Sequence, residues 1–256
     1  MIDLNDENIK YFYLGKCVSR QPINFYTEKI YHPIVNDIFE MGENEYFKLL
    51  TPFIIPIEYF KNVPSDVTVY EAIMQDRDMC ISLIQSLIYF LKLKIENDEG
   101  EMDIKIYNIE DKQKGRSKNQ LITKSGLIID DEKFNELKTL ILLMCNTKEL
   151  TKEDLGIKDK NPISEKKERL LKLRKESRTG KLEEKRVKLV NVYDYLVHKP
   201  DIPNYDMYLS WSIYQLYNTY TNSIKKEHVQ FTYDVITNGM GTKEMKLESL
   251  AEKIIK

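Results

Sequence analysis

The segment 206-DMYLSWSIYQLYNTY-220 carries the clearest local structural signals in the sequence. Ser212 and Gln215 have the spacing of a capping box, in which each side chain accepts a hydrogen bond from a free backbone amide at a helix start. Trp211 and Leu216 stand at the two positions of a hydrophobic staple, which fixes the angle at which the chain enters the helix. The segment therefore predicts a helix that begins at Ser212.

Apolar residues recur at helical spacing beyond this cap and form one stripe, comprising Ile213, Leu216, Tyr217, Tyr220 and Ile224. We expect the stripe to build the core of a C-terminal helical domain. Tyr214 lies off the stripe, so Tyr214 and Asn218 are the residues of this helix predicted to face a partner. Another helix is expected from about Glu227 to Thr237.

The composition indicates a globular protein of a reducing compartment. The chain has 256 residues, of which 42% are hydrophobic and 31% charged, with a formal net charge of -2. Three widely spaced cysteines favour a reducing compartment over a disulfide framework. The acidic N-terminus lacks the apolar segment of a signal peptide. The most apolar run, Met79 to Ile95, contains polar side chains and predicts a buried helix rather than a membrane span. A cytoplasmic protein that does not engage a membrane is expected.

The first 150 residues have the mixed pattern of an α+β domain. Tyr11 to Leu14 and Asn24 to Ile30 are predicted to be short strands, because tyrosine and phenylalanine favour β-structure. A helix is predicted from Pro33 to a stop at Gly42. A second helix, roughly Glu43 to Leu50, follows it.

The remainder of this domain predicts a helical region, a small sheet and a further helix. Ser65 or Asp66 is expected to cap the helical region that ends in the apolar run. β-like spacing at Ile104, Ile106 and Ile109, and then at 121–122 and 127–129, predicts a small antiparallel meander. Asp130 or Asp131 then caps a helix with one apolar face, comprising Phe134, Leu137, Ile141 and Met144.

The composition changes after Leu150. Thirteen Lys or Arg and six Asp or Glu lie between Lys158 and Lys188. The excess of positive charge is compatible with nucleic-acid binding, and equally with a solvated helix carrying i,i+4 ion pairs or with a protein-docking arm. This stretch has no aromatic residue for base stacking, which favours the second interpretation. Its candidate partner-binding residues are Lys166, Lys167, Arg169 and Arg174.

These patterns predict an α+β fold in three parts. Residues 1–150 form a mixed domain with a small antiparallel sheet, residues 151–188 form a basic helical linker, and residues 189–256 form a mostly helical domain.

Residues suited to chemistry do not form a recognisable site. His32, His198 and His228 are far apart in sequence, and their spacing does not indicate a metal site. His32 and His198 are expected to cap or pack. Cys80 and Cys145 are expected to be small buried hydrophobes. We therefore predict no catalytic residue, no metal ligand and no cofactor, and a protein that is not an enzyme.

Two short motifs carry a resemblance to a known group of proteins. Ile34 to Leu50 contains MGENEY at residues 41–46, and SIYQLY follows the charged linker at residues 212–217. This order resembles proteins of the tail-morphogenesis modules of phages and prophages of low-GC Gram-positive bacteria, which include tail assembly chaperones. The resemblance implies a non-enzymatic protein of the bacterial host cytoplasm that binds tape-measure or tail-tube proteins during virion morphogenesis.

Other functions stay open at this point. The protein could be a structural component that is retained in the virion. It could instead be a nucleic-acid-binding regulator that uses residues 158–188, although the missing aromatic residues argue against this. A second copy of the chain is a further open partner.

Overall fold

The computed structural model describes residues 5–60, 63–64, 66–94, 103–111, 116–152, 154–155, 188–199 and 205–238. Most of the predicted linker, including Lys166, Lys167, Arg169 and Arg174, lies outside these residues. The predicted α+β class is confirmed. In chain order the elements are α1 Glu7–Ser19, β1 Ile23–Phe25, β2 Glu28–Ile30, α2 Val35–Met41, α3 Glu43–Ile54, α4 Val69–Gln75, α5 Arg77–Leu91, β3 Ile104–Asp111, β4 Arg116–Thr123, β5 Ile128–Ile129, α6 Asp131–Met144, α7 Leu189–Val197, α8 Tyr205–Leu209 and α9 Ile213–Thr237.

The strand predicted at Tyr11 to Leu14 is wrong, because these residues lie within helix α1. The Asp6 carboxylate accepts hydrogen bonds from the amides of Asn8 and Ile9, at 2.9 and 3.4 Å, and so caps the helix. The cap and the packing of α1 on the core outweigh the β-propensity of the aromatic residues. The strand predicted over Asn24 to Ile30 is instead a two-stranded hairpin, β1 and β2, whose turn includes Tyr26 at a φ of 53°.

Helices α2 and α3 confirm the two helices predicted after Pro33, with Gly42 between them at a φ of 94°. Helix α3 continues beyond the predicted end at Leu50, although Pro52 lies inside it. Proline has no amide hydrogen, so the carbonyl of Lys48 loses its donor within the helix. The Ser82 hydroxyl of α5 donates to that carbonyl at 3.2 Å and replaces the missing hydrogen bond.

Helix α4 is capped by Thr68 rather than by Ser65 or Asp66. Thr68 and Glu71 form a capping box, with Oγ1 of Thr68 accepting from the Glu71 amide at 3.1 Å and Oε2 of Glu71 accepting from the Thr68 amide at 3.2 Å. Asp76 then caps α5, which contains most of the apolar run as the predicted buried helix. In the part of the chain that the structure describes, each helix is too short or too polar to span a bilayer.

The predicted meander is confirmed as a three-stranded antiparallel sheet in the order β3-β4-β5. Ile104 pairs with Thr123 and Asp111 with Arg116, whereas β5 pairs only with Leu121 and Ile122 of β4. The hairpin of β3 and β4 therefore extends well beyond β5. Asp130 caps α6, as predicted.

One hydrophobic cluster joins the described residues of both predicted domains. Phe53 lies 6.0 Å, between ring centroids, from both Phe90 and Phe134. The same cluster includes buried residues of the C-terminal helices, namely Leu189, Val192, Leu196, Tyr208, Ile213 and Leu216. The division into three parts stays a prediction, because residues 156–187 are outside the described residues.

The capping box at the start of α9 is confirmed. The Gln215 amide donates to Oγ of Ser212 at 3.3 Å, and the Ser212 amide donates to Oε1 of Gln215 at 3.0 Å. A separate helix starting near Glu227 is wrong, because α9 runs without a break to Thr237. Residues 221–227 contain neither glycine nor proline that could end it. Ile224 is exposed, so the buried part of the stripe ends before it.

Replacing the cap should destabilise the whole protein. We expect Ser212→Ala to lower the free energy of unfolding by about 1 kcal/mol, because the Gln215 amide loses its acceptor at the helix start. Urea unfolding followed by circular dichroism measures the change. Ser223→Ala in the interior of the same helix is the control and should change stability by less than about 0.5 kcal/mol. Equal effects of the two substitutions would contradict the capping role.

Candidate protein-binding surfaces

The residues of α9 predicted to face a partner are not on an open surface. Tyr214 is only 9% exposed, so its predicted surface position is wrong. Helix α1 lies across this side of α9, where Nε2 of Gln215 donates to the Val18 carbonyl at 2.6 Å. Burial raises the pKa of Tyr214. Asn218 is half-buried, and its role in partner contact stays a prediction.

His32 and His198 both lie within hydrogen-bonding distance of backbone carbonyl oxygens. His32 is buried, and its Nε2 lies 3.0 Å from the Gln21 carbonyl oxygen. Burial lowers the pKa of His32, which favours the neutral ring. Nδ1 of His198, just after α7, lies 2.8 Å from the Asp194 carbonyl oxygen. Among the residues that the structure describes, no group of three His, Cys, Asp or Glu side chains could hold a metal ion.

All three cysteines are buried and carry free thiols, as predicted for Cys80 and Cys145. Burial raises the pKa of Cys17 to about 12 and also raises that of Cys80. The Tyr46 hydroxyl donates to Sγ of Cys145 at 3.2 Å. A protonated, buried thiol is a poor nucleophile, so these side chains pack rather than react.

A polar contact between the β1–β2 hairpin and α6 is a feature that the sequence did not reveal. The Tyr26 hydroxyl donates to Oε2 of the buried Glu136 at 3.0 Å, and this hydrogen bond is the main cause of the raised pKa of Tyr26. Nearby, Oγ of Ser125 donates to Oε1 of Glu28 at 2.5 Å. These bonds attach the hairpin to the rest of the fold, because they join residues far apart in the chain.

Strand β3 presents an apolar surface that the described residues leave exposed. Ile106, Tyr107 and Ile109 are 51, 48 and 42% exposed. β3 is also an edge of its sheet, and within the described ranges no strand pairs with its outer side. The sequence predicted the strand, and adjacent apolar residues at 106 and 107 signalled that both of its faces are apolar. Its edge position depends on the strand order and was not predictable.

Helix α1 presents a second apolar surface. It could not be predicted as long as Tyr11 to Leu14 were expected to form a strand. Tyr11, Phe12 and Val18 are 64, 58 and 53% exposed. Nζ of Lys16 lies 5.7 Å from the Phe12 ring centroid, so one edge of this surface is basic. Contiguous exposed apolar patches are typical of interaction sites.

No protein-family model, curated protein or solved structure matches the chain. The structure does bring together the two motifs that carry the resemblance to tail-morphogenesis proteins. Ile34 of the first motif and Ser212 of the second are paired in an antiparallel β-bridge.

The burial of the three thiols predicts that they react slowly in the native protein. We expect Cys17, Cys80 and Cys145 to be protected from Ellman's reagent in the native protein and to react fully in denaturant, because all three are buried. Lys10→Cys, at an exposed position of α1, is the control and should add one thiol that reacts immediately. Rapid labelling of an original cysteine without denaturant would contradict this account.

Proposed function

We propose that the protein is a non-enzymatic assembly factor that binds an extended segment of a phage tail protein along strand β3 and keeps it soluble during tail morphogenesis. The observation that carries this proposal is that β3 is an edge strand with three exposed large apolar side chains, Ile106, Tyr107 and Ile109. The resemblance to tail-morphogenesis proteins supplies the process, with a tail-tube or tape-measure protein as the partner in the host cytoplasm.

An edge strand is suited to this task because its outer N–H and C=O groups can pair with another chain. Monomeric proteins often protect such edges with charges, and β3 contains Lys105, Glu110 and Asp111, but it also exposes three large apolar side chains. On β3, Ile106 projects from one face of the strand, and Tyr107 and Ile109 project from the other. An added strand would gain backbone hydrogen bonds along the edge and apolar contacts on both faces. The eight residues of β3 give a pairing length of about 27 Å.

The base of the hairpin is held firmly by the core, so the exposed edge has a fixed orientation. The buried Tyr70 hydroxyl donates to the Ile129 carbonyl at 2.7 Å and accepts from the Leu121 amide at 3.2 Å. It therefore joins β4 and β5 to helix α4. The side chains of Ile104 and Leu121 are buried at the same end of the hairpin. A pre-oriented edge lowers the entropy cost of adding a strand.

Charges introduced at the exposed apolar positions of β3 should weaken the interaction. We expect Tyr107→Lys and Ile109→Lys each to weaken binding about tenfold or more, because each removes an exposed apolar contact and introduces a charge at the interface. The measurement is co-expression with the tail-tube or tape-measure protein of the same module, followed by quantification of soluble complex. Ile81→Lys is the matched control, since Ile81 is a comparably exposed isoleucine on helix α5.

Two outcomes would contradict the proposal. One is that neither tail protein co-purifies with this chain. The other is that the edge variants bind as well as the Ile81→Lys control, which would place the contact elsewhere. Mass spectrometry of purified virions separates an assembly factor from a structural component, because the assembly factor should be absent from the particle.

A further inference from the structure

His32 lies between the end of helix α1 and the start of α9. It is only 7% exposed, and Nε2 of its ring lies 3.0 Å from the Gln21 carbonyl oxygen in the turn that follows α1. The next residue, Pro33, accepts a hydrogen bond from the Ile213 amide at 3.0 Å and so holds the start of α9. One buried, titratable side chain therefore stands beside both contacts.

Arg20 joins the same two parts of the chain. Its guanidinium donates to the Ser210 carbonyl, just before the capping segment of α9. Residue 20 ends α1 in the left-handed conformation, at a φ of 56°. The turn at residues 20–22 is exposed, so it can move away from His32 without removing its own side chains from the core.

One nitrogen of the His32 ring lacks a hydrogen-bond partner. A carbonyl oxygen only accepts, so Nε2 carries the ring hydrogen and Nδ1 is the nitrogen that takes up a proton. Nδ1 is buried and has no hydrogen-bond partner among the described residues. A proton on Nδ1 would create a buried donor without an acceptor and a charge removed from water, and both are costly.

The nearest charged group opposes protonation of His32. Burial is the main cause of the lowered pKa of His32, the hydrogen bond to the Gln21 carbonyl partly opposes this effect, and the positive charge of Arg20 lowers the pKa further. On β2, the acidic Glu28 accepts a hydrogen bond from Oγ of Ser125 at 2.5 Å. It does not contribute to the shift at His32.

The other elements around His32 do not offset the charge of the arginine. On α5, Nζ of Lys92 lies 4.8 Å from the ring centroid of the adjacent Tyr31, which adds a second cation to this region. On α2, the acidic Asp37 acts on the pKa of a tyrosine of α5. The segment 210–212 before α9 is uncharged. Among the described residues, no acidic side chain contributes to the pKa shift of His32.

We propose that His32 is an acid-sensitive switch at this junction: protonation of Nδ1 expels the ring from its buried site, releases the turn at residues 20–22 and weakens the attachment of α9. The switch requires no ligand and no phage partner. It can therefore be tested, and can fail, independently of the proposed function.

Protonation of His32 is linked to unfolding, and the linkage fixes the pH range. In the unfolded chain a histidine takes up a proton near pH 6.5, whereas the lowered pKa keeps the folded ring neutral to more acidic pH. The unfolded state then binds more protons, so stability is lost as the pH falls below about 6.5. Each pH unit in this range should raise the equilibrium constant of unfolding by up to about tenfold, until the pKa of the folded ring is reached.

Urea unfolding of the full chain at pH values from about 8 to about 5 tests the switch. His32→Gln keeps an amide donor for the Gln21 carbonyl but cannot be protonated. Its equilibrium constant of unfolding should therefore rise less toward acid pH than that of the wild type, by up to about tenfold for each pH unit below 6.5. His198→Gln is the matched control, because His198 is exposed, and it should keep the wild-type pH dependence. Equal pH dependence of the wild type and His32→Gln would overturn the proposal.

A second variant tests the role of the neighbouring charge. Arg20→Gln should reduce the acid-dependent loss of stability, because the folded ring is more easily protonated once the positive charge is removed. Lys10→Gln, about 15 Å earlier along α1 and beyond the screening length at physiological salt, is the control and should change nothing. An acid response that Arg20→Gln leaves unchanged would contradict the electrostatic part of the proposal.

Nuclear magnetic resonance of the wild type needs no variant to fold. The His32 ring should carry its hydrogen on Nε2 and titrate with a pKa below 6.5. Protection of the Ile213 amide against hydrogen exchange should fall as the pH decreases below about 6.5. A pKa of His32 at or above 6.5, a neutral ring with its hydrogen on Nδ1, or undiminished protection of the Ile213 amide would overturn the proposal.

Discussion

Two reciprocal backbone hydrogen bonds between the segments 33–35 and 211–213 join the starts of helices α2 and α9, which the shared hydrophobic cluster packs into one core. The Val35 amide donates to the Trp211 carbonyl at 2.9 Å, and the Ile213 amide donates to the Pro33 carbonyl at 3.0 Å. Val35 and Ile213 are the first residues of α2 and α9, so each amide is one that its own helix leaves without an acceptor. Ile34 provides no side-chain cap for α2. The segment before each helix thus supplies a backbone carbonyl that accepts a hydrogen bond from the first amide of the other helix.

The first amide of a third helix, α7, also finds its acceptor in a distant part of the chain. Helix α7 has no side-chain cap from Lys188, and the Leu189 amide donates instead to Oε1 of Glu43 at 2.9 Å. Glu43 belongs to the first of the two motifs that resemble tail-morphogenesis proteins. That motif therefore completes the start of α7, and the residue just before it, Pro33, accepts from the first amide of α9.

Elements specified by neighbouring residues could be predicted, whereas those specified by distant residues could not. The start of α9 and the helix capped by Asp130 were predicted because their signals lie within a few residues. The strand prediction for Tyr11 to Leu14 rests on the β-propensity of aromatic residues, which the Asp6 cap and the packing of α1 on the core override. Tyr214 was expected at the surface because nothing local shows that α1 covers it. The exposed edge of β3 depends on strand order, so the strand could be predicted but not its availability for pairing.

We expect the reciprocal bonds and the shared core to make the N-terminal part and the C-terminal helices one cooperative unit. Trp211, the only tryptophan, reports on the junction by fluorescence, and circular dichroism reports on the whole chain. Ile73→Val, in the core of the N-terminal part, should cost about 1 kcal/mol. The account predicts that urea unfolding then shifts by the same amount with both probes, with coincident midpoints. A Trp211 transition that stays at the wild-type midpoint while the circular dichroism transition moves would contradict it.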